Sequence, residues 1–392
     1  MKYRNFGKTG KKISALGFGC MRLPQIKIAE RSEEEEKARE GLSFYESQKD
    51  DTWIVDEEKA IPLLKAAYDA GINYFDTAMN YCHFKSQIAV GKAVKQMDRD
   101  KVIIATKLPL AELNETADFR RMLEIQLGIL DMDYIDFYHF HGLNKQRFDE
   151  KVMGYSLKKE VQRAIDEGLI KHMSFSYHGD VKDMPYIIET FEIFSSVLLQ
   201  YNLLDRSNEA NIDYLADKGL GVVVMGPIGG GRLSMPSELS DKLLGADIST
   251  PELALRFVLG NKNVSCATSG MGDMDMLKGN LKVADMAVPM TEDDFRKAAI
   301  MMEELKKFSD LYCTGCNYCL PCPKEIDIPH LFNAYTYHNV YGLSEQGKKM
   351  WNAKRGAPLS ECTGCRVCNE KCPQQIPVAE KLKEVEKIML AL

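Results

Sequence analysis

The sequence has no run of about 18 or more apolar residues, the length a helix needs to cross a bilayer, so no transmembrane helix is expected. It has no surplus of positive charge. The formal net charge of −6 excludes general nucleic-acid binding through a basic face. Its opening, Met1-Lys2-Tyr3-Arg4, runs into polar, glycine-containing sequence without the apolar core of an export signal, and a cytoplasmic protein is expected. Cysteine is scarce over most of the length, with only Cys20, Cys82 and Cys266 preceding residue 313. At 392 residues the chain is too long for one small domain and suits a barrel with an appended module.

What the first 300 residues lack, the tail concentrates. Eight of the eleven cysteines stand in the last fifth, in two runs. The first is Cys313, Cys316, Cys319 and Cys322, followed by Pro323; the second is Cys362, Cys365, Cys368 and Cys372, followed by Pro373. Structural zinc usually draws on two separated C-x2-C pairs or includes histidine, and cytosolic disulfides are rare, so both fit this spacing poorly. The second run, C-x2-C-x2-C-x3-C-P, resembles the ligand pattern of bacterial two-cluster ferredoxins, in which the fourth cysteine serves the other cluster. The resemblance implies two [4Fe-4S] clusters, one on Cys313, Cys316, Cys319 and Cys372, the other on Cys362, Cys365, Cys368 and Cys322. The first run departs from it, since Cys319-Leu320-Pro321-Cys322 is one residue short before its last cysteine.

Over the first 300 residues, apolar runs of strand length alternate with segments of helical periodicity. Strand ends fall near Gly17-Phe18-Gly19, Tyr74-Phe75-Asp76, Ile104-Ala105-Thr106 and Tyr138-His139-Phe140. Four more fall near Ser174-Phe175-Ser176, Leu198-Leu199-Gln200, Val223-Val224-Met225 and Ser265-Cys266-Ala267. Helices are expected over Glu58–Ala70, Asp118–Leu130 and Ser156–Glu167, the first and last stopped by Gly71 and Gly168. Eight strand–helix units predict an α/β fold, a (β/α)8 TIM barrel over residues 1–300, although the count alone leaves a doubly wound sheet open. Residues 24–56 fall outside the repeat and carry the acidic block Glu33–Glu36 with Phe44, Tyr45 and Trp53, an insertion of the length of a lid or partner contact. Residues 301–392 are expected to form a small ferredoxin-like iron–sulfur domain, with a spacer between Cys322 and Cys362, rich in Tyr335, Tyr337, His338 and Tyr341, that is expected to be helical.

Several motifs in order give the barrel segment a family likeness. Tyr3-Arg4-Asn5-Phe6-Gly7-Lys8-Thr9-Gly10, Gly71-Ile72-Asn73-Tyr74-Phe75-Asp76-Thr77-Ala78 with Tyr81, Ile104-Ala105-Thr106-Lys107, and Asp133-Tyr134-Ile135-Asp136-Phe137-Tyr138-His139-Phe140-His141 together resemble the aldo-keto reductases. The resemblance implies a catalytic tetrad of Asp76, Tyr81, Lys107 and His141. Physical chemistry supports the same residues. All four fall at or just beyond strand ends, where barrels assemble active sites. A tyrosine hydroxyl that protonates a developing alkoxide has an ordinary pKa near 10, and a neighbouring ammonium favours its phenolate. Asp76 would hold Lys107, and His141 would orient the carbonyl. Other readings stay open: Asp76–Lys107 as a structural ion pair, Tyr81 as an ordinary aromatic, and His139 as a second histidine on the same face. Cys82, beside Tyr81, reads as a small packed residue more readily than as a reactive thiol.

The same resemblance implies NAD(P)H held by Gln200 at the carboxamide, by the backbone of Gly226, Gly229, Gly230, Gly231 and Arg232 at the pyrophosphate, and by Ser269, Gly270 and Asn280 at the adenosine end. The chain departs from many relatives at Ser174-Phe175-Ser176-Tyr177-His178, at Met225-Gly226, and in having no Arg or Lys from Thr268 to Leu277 to meet a 2′-phosphate. Flavin mononucleotide on the same loops therefore stays open. Clusters take one electron at a time and a hydride carries two, a mismatch that flavins can bridge. The chain is read first as an oxidoreductase acting on a small carbonyl-type substrate, coupled to single-electron transfer. The alternatives are an electron-transfer protein serving a ferredoxin or another redox partner, and a non-enzymatic redox sensor.

Overall fold

The computed structural model describes residues 1–28, 53–231, 233, 248–285, 290–304, 313, 315–339, 344–353 and 356–392. The acidic block Glu33–Glu36, Phe44, Tyr45, Arg232 and Tyr341 lie outside the described residues. The chain divides into two compact units. One comprises Met1–Tyr201, Ser207–Met225 and Asn261–Val288; the other comprises Asn202–Arg206, Gly226–Gly260 and Pro289–Leu392.

The first unit is built on a closed barrel of eight parallel strands. In chain order these follow a short antiparallel hairpin, β1 (Tyr3–Asn5) and β2 (Lys12–Ser14), and a second such pair, β4 (Gln25–Lys27) and β5 (Trp53–Val55), ties the ends of the inserted segment. The barrel strands are β3 (Leu16–Gly19), β6 (Tyr74–Asp76), β7 (Ile103–Leu108), β8 (Ile135–Leu143), β9 (Ile170–Tyr177), β10 (Phe194–Gln200), β11 (Gly221–Met225) and β12 (Cys266–Ser269), each pairing with the next and β12 closing on β3. Closure settles the alternative of a doubly wound sheet. β7 is buried along its whole length, as expected of a parallel strand covered on both faces. The expected helices form at Glu57–Asp69, Asp118–Leu130 and Leu157–Asp166. In the second of these, Phe119, Met122, Leu123, Gln126, Leu127 and Leu130 make the buried stripe, and Asp131 stops it in the left-handed region.

The barrel interior positions the site by simple alternation. Phe6, carried by the opening hairpin, packs with Tyr74, Ala105, Phe137, Leu198 and Val223 in one buried layer, its ring 4.5 Å from that of Phe137. Side chains on a strand alternate, so the next inward residues along β6, β7 and β8 are Asp76, Lys107 and His139, one layer nearer the C-terminal rim.

In the second unit, helices Thr250–Gly260 and Glu292–Glu304 meet through Phe257 and Phe295, whose rings lie 5.3 Å apart. The spacer between the cysteine runs is helical as expected, over Ile328–Asn339 and Ser344–Asn352, and the last helix spans Val378–Leu390. The spacer's polar rings pack locally: His338 Nδ1 lies 3.0 Å from Ser344 Oγ, and Asn339 Nδ2 donates to Tyr335 Oη at 2.8 Å. A small core joins the helices, in which Ile326, Ile328 and Phe332 recur as Ile376, Val378 and Leu382 fifty residues later.

Candidate active site and cluster cages

At the C-terminal end of the barrel, Lys107 Nζ is buried and donates to Asp76 Oδ1 at 2.6 Å and to the Thr77 carbonyl at 2.8 Å. It also stands over the Tyr81 ring, 4.7 Å from its centroid, and that ring meets His141 edge-on at 6.2 Å. The four tetrad residues expected from the sequence are thus brought together. His141 lies within β8, which runs on to Leu143, rather than just beyond the strand. Burial pushes the Asp76 carboxyl up and the Lys107 ammonium down, and each opposes the other's shift through their charges. His141 is held well below the ordinary imidazole range by burial and then by Lys107. His139 is pushed down to about 3 by the same two causes. The imidazoles are therefore neutral, able to accept or donate one hydrogen bond without adding a charge.

The turn carrying Tyr81 is unusual. Cys82, His83 and Phe84 follow it with φ of 49, 54 and 66°, three successive non-glycine residues in the left-handed region, which costs roughly 1–2 kcal/mol per residue. Side-chain bonds hold the turn down. Ser86 Oγ donates to the Cys20 carbonyl at 2.8 Å and lies 2.8 Å from Thr77 Oγ1, while Cys82 Sγ donates to the Met21 carbonyl at 3.3 Å. Burial pushes the Cys82 thiol up to about 12, so it is an anchor and not an activated nucleophile.

Two further residues border this region that the motifs did not single out. His178, just beyond β9, is pushed down to about 4 by burial, then by Arg147 and Lys107, and its charge would also bear on His141. Its signal was the departure at Ser174–His178. Arg22 lies in the turn after β3, and a methyl group added at Gly270 would meet its stem at 3.5 Å. A basic side chain therefore stands against the loop after β12, although none occurs within Thr268–Leu277.

Among the residues expected at a nucleotide, Gln200 ends β10 and is buried, and Ser269 ends β12, where Asn280 Nδ2 donates to its Oγ at 3.0 Å. In the second unit, Gly226, Gly229, Gly230 and Gly231 have φ of 63, 61, 66 and 97°. Within this loop the Gly229 N–H donates to the Gly226 carbonyl at 2.9 Å and the Gly231 N–H to the Ile228 carbonyl at 3.2 Å, and the absence of side chains leaves its surface open to close approach.

The cysteines of the second unit gather in two sets. One cavity is bordered by Cys313, Cys316, Cys319 and Cys372, the other by Cys322, Cys362, Cys365 and Cys368, with Cys319 bordering both. The thiols that bear on Cys319 are those of Cys316, Cys313 and Cys372, which groups it with the first set. Those of Cys368 include Cys322 and Cys362. Four thiols around each cavity suit a cubic iron–sulfur cluster. The runs are also structural repeats that sequence comparison within the chain would have revealed. Each reads C-T-G-C-x-x-C, then C-P-x-x-I, with Gly315 and Asn317 left-handed in the first and Gly364 and Arg366 in the second. The one-residue difference falls in the last gap. There the second run forms a short helix, Val367–Lys371, whereas the first turns directly through a Leu320 N–H to Asn317 carbonyl bond of 2.9 Å.

Comparison with known proteins agrees with both halves. A model of the aldo/keto reductase family matches residues 45–302, and one of the 4Fe-4S dicluster domain matches 312–376. A probable aldo-keto reductase of soybean is 28% identical over 57% of this chain and 59% of its own length, so the match spans less than two thirds of that relative. L-galactose dehydrogenase of Arabidopsis thaliana is 25% identical over 79% of this chain and 97% of its own. The holo form of an aldo-keto reductase of Bacillus halodurans superposes with a TM-score of 0.61 at 25% identity, covering 77% of this chain and 96% of that one.

Proposed function

Because the chain belongs to the aldo/keto reductase family and carries a 4Fe-4S dicluster domain, we propose that it is an oxidoreductase that reduces a small carbonyl-type substrate, or runs the reverse reaction, in step with single-electron transfer through two [4Fe-4S] clusters. The observation that carries the reading is the convergence of Asp76, Lys107, Tyr81 and His141 at the barrel's C-terminal end. In this reading Tyr81 gives its hydroxyl proton to the substrate oxygen. Lys107, whose ammonium lies over the Tyr81 ring, eases that proton's departure, and Asp76 fixes Lys107 in place. Neutral His141 donates a hydrogen bond that orients the oxygen. Gln200, Ser269, Gly270 and Asn280, with the glycines at 226 and 229–231 and with Arg232, would hold NAD(P)H. The eight tail cysteines would hold the clusters. When bound, the nicotinamide supplies hydride and the clusters supply or accept electrons singly. The flavin alternative gains no support from the site or from the relatives. We place the functional boundary near residue 300, with the barrel over 1–300, the ferredoxin-like domain over 301–392, and a ferredoxin or similar protein as the redox partner.

The test is anaerobic purification with metal and nucleotide analysis, followed by assays of Tyr81→Phe. Carbonyl reduction should fall by roughly 10²–10⁴-fold, the range for loss of a general acid, while reduction of a one-electron dye persists. Equal carbonyl reduction by the variant would sink the assignment, as would stoichiometric zinc in place of iron.

A further inference from the structure

The two cysteine cages occupy equivalent places in the tail repeat, but their surroundings differ in charge at matching positions. In the first cage, the residue after the second cysteine is Asn317; in the second it is Arg366, with the same left-handed backbone, φ 66 and 61°. The residue two beyond the borrowed fourth cysteine is Gln374 in the first cage and Lys324 in the second. Asn317 and Gln374 border the first cavity, which no charged side chain lines among the described residues. Lys324 and Arg366 border the second. Solvent reinforces the contrast, since Cys365 is exposed whereas the four thiols of the first cage are all part-buried.

Reduction adds negative charge to a cage that already holds four thiolates. Nearby cations and access to water stabilise the reduced form and raise the reduction potential, and both act on the same cage here. We infer that the two clusters differ in potential, that the cluster on Cys322, Cys362, Cys365 and Cys368 is the easier to reduce, and that Lys324 and Arg366 set the gap. Arg366 shares its charge with Glu380, whose carboxylate is 2.8 Å away, so Lys324 is the stronger lever of the two. An electron entering the tail then rests on the exposed cluster, beside the surface that a partner can reach. The inference rests on the reading that both cages carry [4Fe-4S] clusters.

The experiment is a reductive titration of the full-length, cluster-loaded protein with dithionite, followed by electron paramagnetic resonance. The wild type should reduce in two separate one-electron steps. The Lys324→Gln/Arg366→Asn variant should move the upper step down toward the lower and leave the lower in place. The reciprocal Asn317→Arg/Gln374→Lys variant should move the lower step up. Lys324→Gln alone should give the same downward direction in smaller measure and serves if the double variant loads poorly. Coincident wild-type steps, or variants that shift both steps together or neither, overturn the inference while leaving the clusters in place. Absence of iron from the wild type, read by metal analysis, overturns the cluster reading itself and this inference with it.

Discussion

The barrel end and the cysteine cages hold reactive groups by opposite means. In the barrel, Asp76, Lys107 and His139 project from strands whose hydrogen bonds are already made by neighbours, above a packed layer of Phe6, Tyr74 and Phe137. Strand geometry fixes their positions whether or not anything is bound. In the tail, the thiols project from loops that pass through left-handed residues at Gly315, Asn317, Gly364 and Arg366, and the core beneath consists, among the described residues, of nine buried ones. Such a core stabilises little by itself, and small domains of this kind commonly need a metal centre to complete them. One site is thus preformed, and the other depends on what it holds.

Cluster removal should break the comparison most visibly. Oxidative loss of iron followed by chelation leaves eight thiols around two cavities with nothing to join them. The helices Ile328–Asn339 and Val378–Leu390 should then melt, because metal-binding energy in such modules is folding energy. The barrel should keep its cooperative transition. Limited proteolysis with mass analysis reads this directly: cleavage should appear throughout the region beyond residue 313 and spare the strands from Leu16 to Ser269. A chelated protein that stays resistant beyond residue 313 would mean the tail core suffices alone.

Asp76→Asn probes the preformed side. It removes the carboxylate 2.6 Å from a buried ammonium, and breaking one member of a buried pair typically costs about 3–5 kcal/mol. Lys107 should respond by shedding its proton. The double variant Asp76→Asn/Lys107→Met removes both charges and should recover much of that stability in urea unfolding, yet remain inactive toward carbonyls. If the single variant unfolds like wild type, the pair is not what holds Lys107 beneath Tyr81.

Much of this was legible in the sequence, for reasons that differ by region. Parallel strands buried on both faces appear as apolar runs, which is why all eight strands could be located, and period-two alternation then carried Asp76, Lys107 and the two histidines to one face. The end of β8 was not legible, because Leu143 resumes the pairing with β9, opposite Tyr177, past an irregularity after Phe140 that only the partner strand reveals. Arg22 was missed for a related reason. Scanning Thr268–Leu277 for a basic residue treats the loop as local, but closure of β12 on β3 brings the turn Cys20–Arg22 beside it from the far end of the chain. In the tail, the resemblance to two-cluster ferredoxins carried the pairing of the sets. The charge contrast between Asn317 and Arg366 needed the repeat to be aligned before it meant anything.

The smallest expected effect tests whether the barrel site is as dry as its packing implies. His139 is fully buried, and burial, then Lys107, lowers its pKa to about 3 from an ordinary 6.5. The unfolded chain binds a proton on this residue below about pH 6.5 while the folded chain does not, so stability present above that pH is lost as the pH falls toward about 3. At about pH 5 the loss from this residue is about 2 kcal/mol relative to neutral pH. Urea unfolding of the barrel transition at both pH values should show a loss to which His141 and His178 also contribute in the wild type, and a loss smaller by about 2 kcal/mol in His139→Gln, which cannot titrate. Identical losses would mean that water reaches the imidazole and that the layer beneath Tyr81 is not sealed, which would weaken the charge of Lys107 on the same ring.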